Sequence, residues 1–299
     1  MSGRRYQIYD VFTDRPLAGN PLAIVHDCDG LDSEAMQRIA REFNLSETVF
    51  ILQPRDRRHT AAIRIFSPNF EMPFAGHPTV GTAIALAAER MSGADALIVL
   101  EEKIGDVRCA VTHGAAAFAE FDLPEQSVRL DLTADAQLVA AALGLAPLDI
   151  GFENHRPGCW SAGVPYVTVP VSGPDAVARA RLDPALWARV APPRGNGVPA
   201  SAYVYCRMDG DSAFRARMFT GGLQTYEDPA TGSALAAFSG TVLAFDRPPD
   251  GGYGGWIEQG IEMGRPSRLR LEIEVSGGRA LTTRVGGHAV LVGEGRLFI

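Results

Sequence analysis

Four residue types recur in the same order within two seven-residue stretches half a chain apart. His77-Pro78-Thr79-Val80-Gly81-Thr82-Ala83 aligns with Asp228-Pro229-Ala230-Thr231-Gly232-Ser233-Ala234, matching proline, glycine, a hydroxyl residue and alanine at an offset of 151 residues. The match continues upstream, where Arg64-Ile65-Phe66-Ser67 parallels Arg217-Met218-Phe219-Thr220. Each copy reads as a strand end, a loop, and a helix started at its proline. Both helices are apolar almost all round, which requires that each be enclosed rather than laid on a surface. A duplicated supersecondary unit constrains the fold more than any local propensity. The expected class is α+β, with two pseudo-symmetric domains, each a mostly antiparallel sheet rolled around a central helix. The first half is expected to span residues 1–122, taking back a last strand at about 289–299, and the second 123–288.

Short segments rich in Val, Ile and aromatic residues support that division. "RYQIYDVF", "PLAIV", "ETVFIL", "AAIRIF", "ALIVL", "DVRCAV" and "AAFAEF" fall in the first half. "YVTVPV", "SAYVYC", "FRARMF", "RLRLEIEV", "LTTRV" and "AVLV" fall in the second. Further helices are expected at "DSEAMQRIAREF", capped by Asp32 or Ser33, at Asp135 to Leu145, and around Pro184 to Val190.

Several function classes are excluded early. A net charge of −7, from 28 basic and 35 acidic side chains, argues against a nucleic-acid surface. The short "RDRRH" run at Arg55 to His59 reads as a solvated loop. No apolar run approaches the ~18 residues of a membrane span, and "MSGRRYQIYDVF" has no apolar signal core, so a cytoplasmic protein is expected. Cys28, Cys109, Cys159 and Cys206 are widely spaced and form no CxxC pair, which predicts reduced thiols rather than a zinc ribbon or a disulfide framework. No HExxH, Walker-type GxxxxGK[ST] or strand-linked GxGxxG occurs. The expectation is therefore no metal and no cofactor.

The repeat also carries the candidate chemistry. Asp228, ahead of Pro229, has the arrangement of a helix N-cap, where free N–H groups favour a carboxylate. His77 opens the matching helix and can donate to a carbonyl or relay a proton. Gly76, Gly232 and Ser233 add backbone N–H groups and a hydroxyl that suit an anion such as a substrate carboxylate. For Gly81 and Gly232 the competing reading is close packing of helix on sheet. Glu47, in "NLSETVFIL", starts an apolar strand; a carboxyl desolvated there can both take and give a proton. Its bland alternative is an exposed glutamate at a strand start. Gln259, in "QGIEMGRPS", could supply an amide to a ligand, while Glu71 and Glu227 lie one step outside the motifs and are expected to be structural or to support the residues that touch the ligand.

Together "YDVFTDRPLAGNPLAIV", "NLSETVFI", "FEMPFAGHPTVGTA", "EDPATGSA" and "QGIEMGRPS" resemble the phenazine biosynthesis PhzF-like family, within the diaminopimelate-epimerase-like fold. The resemblance runs from Tyr9 to Ser267. It implies a site in the cleft between two pseudo-symmetric domains, a homodimer, and catalysis without a cofactor. By motif, Glu47 resembles the family's acid/base, and His77, Asp228, Gly76, Gly232, Ser233 and Gln259 resemble its substrate-holding and proton-handling positions. The best-known reaction of such enzymes isomerises trans-2,3-dihydro-3-hydroxyanthranilate by moving a proton. Epimerases of the same fold place cysteines at both helix starts, where this chain has His77 and Asp228.

The leading expectation is a cofactor-independent isomerase of a small carboxylate-bearing molecule. The alternatives are an amino-acid epimerase or racemase using Glu47 and Asp228, and a binding protein of the same fold that has lost turnover.

Overall fold

The computed structural model describes residues 3–90, 94–191, 193, 197–222 and 225–299. Its contacts divide the chain into one unit of residues 1–122 with 286–299, and a second of 123–285. The first contains β1 (Arg4–Val11), β2 (Asn20–Val25), α1 (Ser33–Phe43), β3 (Glu47–Leu52), β4 (Ala61–Phe66), β5 (Glu71–Met72), α2 (Gly76–Arg90), β6 (Ala96–Glu102), β7 (Gly105–Thr112) and β8 (Phe118–Asp122). The second contains β9 (Val128–Leu130), α3 (Ala136–Ala142), β10 (Gly158–Ser161), β11 (Pro165–Pro170), α4 (Pro174–Arg179) and α5 (Pro184–Val190). It continues with β12 (Ser201–Arg207), β13 (Ser212–Phe219), β14 (Glu227–Asp228), α6 (Gly232–Phe245), β15 (Gly251–Gln259) and β16 (Ser267–Ser276). A last strand, β17 (Arg279–Leu297), starts in the second unit and ends in the first.

In the first unit the strands close on themselves. β1 pairs β2, β2 pairs β3, β3 pairs β4, β4 pairs β6, and β6, β7 and β8 follow in order. β17 then joins β8 to β1, giving a closed barrel of eight strands. The β2–β3 and β4–β6 pairs are parallel, so the sheet is mixed, although mostly antiparallel. Closure leaves no unpaired edge among these strands. Helix α2 is buried continuously from Gly76 to Ala87 and packs against β1, β2, β3, β6, β7 and β8. That enclosure is why its apolar residues go all round. Met91, expected at its end, lies outside the described residues.

Close approach of α2 to the sheet depends on Gly81. A Cβ there would stand 2.7 Å from both Leu22 Cδ2 and Val11 Cγ2. Gly81→Ala is therefore expected to destabilise the protein by ~1–3 kcal/mol through overpacking, read as a lowered urea midpoint at unchanged slope. Outside the barrel, α1 is capped by Asp32, whose carboxylate accepts from the Ala35 N–H at 2.8 Å. It buries Met36, Ile39 and Ala40 with Phe50 and Phe66.

In the second unit the pairings run β9–β10–β11–β12–β13–β15–β16, with β11–β12 and β13–β15 parallel. β12 is buried on both faces. Tyr203 and Tyr205 meet Phe238 of α6, while Ala202, Val204 and Cys206 pack under α3, α4 and α5 with Trp187. Helix α6 is buried at Gly232 and from Ala234 to Val242, as its composition predicts.

Three elements differ from expectation. "LTTRV" and "AVLV" are one continuous strand, β17, whose residues 289–297 run antiparallel to β1. β15, "GGYGGWIEQ", is a strand despite four glycines, since pairing with β16 at nine positions outweighs its poor propensity. The third difference is at the second repeat. Helix α6 begins at Gly232, not at Pro229, and its cap position is Thr231. Asp228 lies in β14 opposite Met218, so it does not cap the helix. Helix α2, by contrast, begins at Gly76, two residues before its proline.

Candidate active site

The first group of candidate residues is built by two short connections. α1 ends at Asn44 in the left-handed conformation (φ 51°), and Ser46 then leads directly into β3, whose first residue is Glu47. On the other side, β5 and the segment Pro73-Phe74-Ala75 deliver Gly76 and His77 into the first turn of α2. That segment is held by the Pro73 carbonyl, which accepts from Ile104 N–H at 3.2 Å, and by an edge-on contact of Phe74 with Phe121.

These connections bring Glu47 Oε2 to 3.0 Å from His77 Nδ1. The side chains are 16% and 4% exposed, so the pair sits at the buried margin of the unit. The approach is within ion-pair range but outside hydrogen-bond geometry, leaving Glu47 Oε2 and His77 Nε2 buried without a hydrogen-bond partner. Buried polar atoms are almost always satisfied, and exceptions mark places where another group completes the bonding. Helix geometry adds the N–H groups of Gly76 and His77, which have no partner inside α2. A carboxyl beside an imidazole with an open nitrogen can remove a proton and return it.

The second group lies within the second unit. Thr231 Oγ1 donates to Asp228 Oδ2 at 2.5 Å. Gln259 Nε2 donates to the Asp228 carbonyl at 2.8 Å and to Thr231 Oγ1 at 3.0 Å, and its Oε1 lies 3.4 Å from Thr231 N. Gln259 is fully buried. Both amide hydrogens are thus engaged within the loop, so Gln259 clamps Asp228 and Thr231. Gly260 makes this clamp possible. Its φ is 75°, and a Cβ would stand 2.6 Å from the Pro229 carbonyl. These constraints keep residues 228–231 out of the helix. Ser233 Oγ, one residue into α6, lies 2.7 Å from Tyr166 Oη.

Behind each group stands an arginine–glutamate pair. Arg64 Nε donates to Glu71 Oε1 at 2.8 Å, and this bond holds the Glu71 carboxyl below its ordinary range. Arg217 donates to both oxygens of Glu227 at 2.8 Å. Glu71 and Glu227, one step outside the motifs, are thus each committed to an arginine of their own unit. Thr231 lies within "DPATGS", but its residue type alone does not mark it as the partner of Asp228 and Gln259. Tyr166 comes from β11, and only the fold brings it to Ser233. Among the described residues, no group of three or more His, Cys, Asp or Glu side chains is placed to hold a metal. No helix of the described residues is long and apolar enough to cross a membrane.

Comparison with known proteins places this geometry in context. Residues 9–295 match the family model described as phenazine biosynthesis-like protein. An uncharacterized isomerase of Mesorhizobium japonicum is 59% identical, with both chains covered in full. The trans-2,3-dihydro-3-hydroxyanthranilate isomerase of Pseudomonas aeruginosa is 35% identical across 99% of each chain. Among solved structures, the phenazine biosynthesis protein of the PhzF family from Bacillus anthracis matches with a TM-score of 0.87 at 27% identity, over 100% of both chains.

Proposed function

The chain belongs to the phenazine biosynthesis-like family, and on that premise we propose that it isomerises a small carboxylate-bearing molecule by acid–base proton transfer. It is an isomerase, as the names of both relatives have it. The observation that carries the mechanism is the 3.0 Å approach of Glu47 to His77, with the facing oxygen and the far imidazole nitrogen both left unsatisfied. In this reading Glu47 takes a proton from carbon and returns one to another carbon of the same molecule. The change is redox-neutral, so no electron carrier is required. His77 shares the proton-handling with Glu47. Asp228, fixed by Thr231 and Gln259, orients the substrate through a polar group. The N–H groups at Gly76 and Gly232, with Ser233, bind the substrate carboxylate.

The two units are proposed to descend from one duplicated half. The support is the matched motif and the arginine–glutamate pair that each unit keeps to itself. A homodimer in the cytoplasm completes the proposal, the dimer resting on the family resemblance and the compartment on four buried cysteines that form no disulfide. No cysteine stands at the start of α2 or α6, which disfavours a two-thiol racemase.

The first substrate to test is trans-2,3-dihydro-3-hydroxyanthranilate, the compound named for the Pseudomonas aeruginosa relative. Turnover in deuterium oxide, followed by mass spectrometry, is expected to place one solvent deuteron on a product carbon. Product free of solvent deuterium, formed equally fast by the Glu47→Gln protein, would overturn the mechanism.

A further inference from the structure

Outside the groups assigned above, one carboxyl is buried in the first unit with almost no polar company. Glu102, the last residue of β6, is 4% exposed, and burial pushes its carboxyl up to about 8. Its Oε1 lies 2.8 Å from Thr79 Oγ1, and its Oε2 has no hydrogen-bond partner. Thr79 belongs to the first turns of α2 and is fully buried. The same Thr79 hydroxyl lies 2.9 Å from the carbonyl oxygen of Ala75, the residue immediately before the helix.

Proton counting decides how these three groups are bonded. A threonine hydroxyl has one hydrogen to give, yet two oxygens, Ala75 O and Glu102 Oε1, stand within bonding distance of it. An ionised Glu102 would hold a buried negative charge on a single neutral hydrogen bond, an arrangement that burial penalises heavily. A protonated Glu102 satisfies both contacts at once. Its O–H donates to Thr79 Oγ1, and Thr79 donates onward to Ala75. The remaining Oε2 is then a neutral carbonyl oxygen, whose lack of a partner costs far less than that of a charged one.

We propose that the Glu102 carboxyl, bonded through Thr79 to the Ala75 carbonyl, is a positioning residue that holds the Gly76–His77 start of α2 in its working geometry. The inference rests on the assignment of His77 to the active site. At the helix start itself, Glu47 faces the His77 imidazole and not Thr79. From α2 the group facing Glu102 is Thr79, and from β7 it is Cys109, whose thiol burial pushes up so that it stays neutral. Adjacent Glu101 is committed instead to the loop at residues 55–59, where it accepts from Arg55 and Asp56 N–H groups. When the Glu102 proton leaves, the polarity of the relay must reverse. Thr79 then turns its only hydrogen from Ala75 to the carboxylate, and the helix start loses a bond.

That reversal is measurable without any substrate, so its failure is distinct from failure of the isomerase reading. In the full-length, isotopically labelled chain, the Ala75 carbonyl and the Gly76 and His77 amide resonances should move through one step centred near pH 8. Glu102→Gln, whose amide can donate to Thr79 at every pH, should abolish the step and keep the low-pH positions. Thr79→Val, which cuts the relay while leaving the carboxyl, should also remove the step from Ala75, and Thr79→Ser should restore it. Absence of a step in the unmodified chain between about pH 6 and 10 overturns the proposal. So does a step that persists in Glu102→Gln. If Glu102→Gln does not fold, a step that survives Thr79→Val is decisive against it.

Discussion

Glu47→Gln is expected to lower kcat by at least ~10²-fold, within the ~10²–10⁴ that general acid–base assistance contributes. The amide has nearly the same shape as the carboxyl but can neither accept nor release the reacting proton. Because the side chain is only 16% exposed and starts β3, where Leu22 lies opposite it on β2, the substitution leaves packing almost unchanged. The thermal midpoint should shift by no more than a few degrees, about what ~1 kcal/mol produces in a chain of this size. Substrate affinity, measured by calorimetry on the variant, should be close to that of the unmodified protein. His77→Gln, by comparison, removes the open imidazole nitrogen and should depress kcat as well. Retention of near-normal kcat by Glu47→Gln would mean that another group carries the proton.

The largest loss of stability is expected at Arg217. Its guanidinium is 4% exposed and makes a two-pronged bond to Glu227, both arms at 2.8 Å. It also donates to the carbonyls of Val177, Ala178 and Ala180 at 3.0, 3.2 and 2.9 Å, closing the end of α4. Arg217→Ala would leave the Glu227 carboxylate and the Ala178 and Ala180 carbonyls without this donor, while the Val177 carbonyl keeps the Ala180 N–H. Removing one partner of a buried pair costs ~3–5 kcal/mol, and here the uncapped carbonyls add to the damage. The equivalent change at Arg64, 28% exposed and paired with Glu71 at 22%, should cost only ~1 kcal/mol, since solvent can replace much of what is lost. Urea titrations of the two variants measure the difference directly. Equal losses would show that the two repeats do not differ in burial as the structure has them.

Much of the candidate site was legible because its chemistry depends on residue types in short, ordered runs. "GHP", "NLSET" and "DPATGS" could be read without knowing any distance, and Glu47 and His77 do meet. The arginines of the matched upstream segments also proved informative, since each pairs with the glutamate one step outside the motif of its own unit. What escaped was long-range or negative. Tyr166 meets Ser233 across 67 positions, and Glu102 meets Thr79 from another strand. No local pattern encodes such meetings. Asp228 was misread as a cap because its residue type and the proline after it fit a helix start. The clamp from Gln259, 31 positions later, keeps that segment extended.

The sequence by itself determined that two enclosed helices exist, because residues apolar on every side have no stable place in water. It also determined the family, through ordered motifs along most of the chain, and the kinds of side chain available for moving a proton. Only the tertiary structure decided that the first unit is a closed, mixed barrel, since closure depends on which strands meet and not on how any one of them reads. It alone set where α2 and α6 begin, and that Gln259 clamps the loop at residues 228–231. The physical reason is common to all three. Apolar patterning and residue type act over a few neighbouring positions, whereas hydrogen-bond partners, burial and protonation depend on atoms brought together from distant parts of the chain.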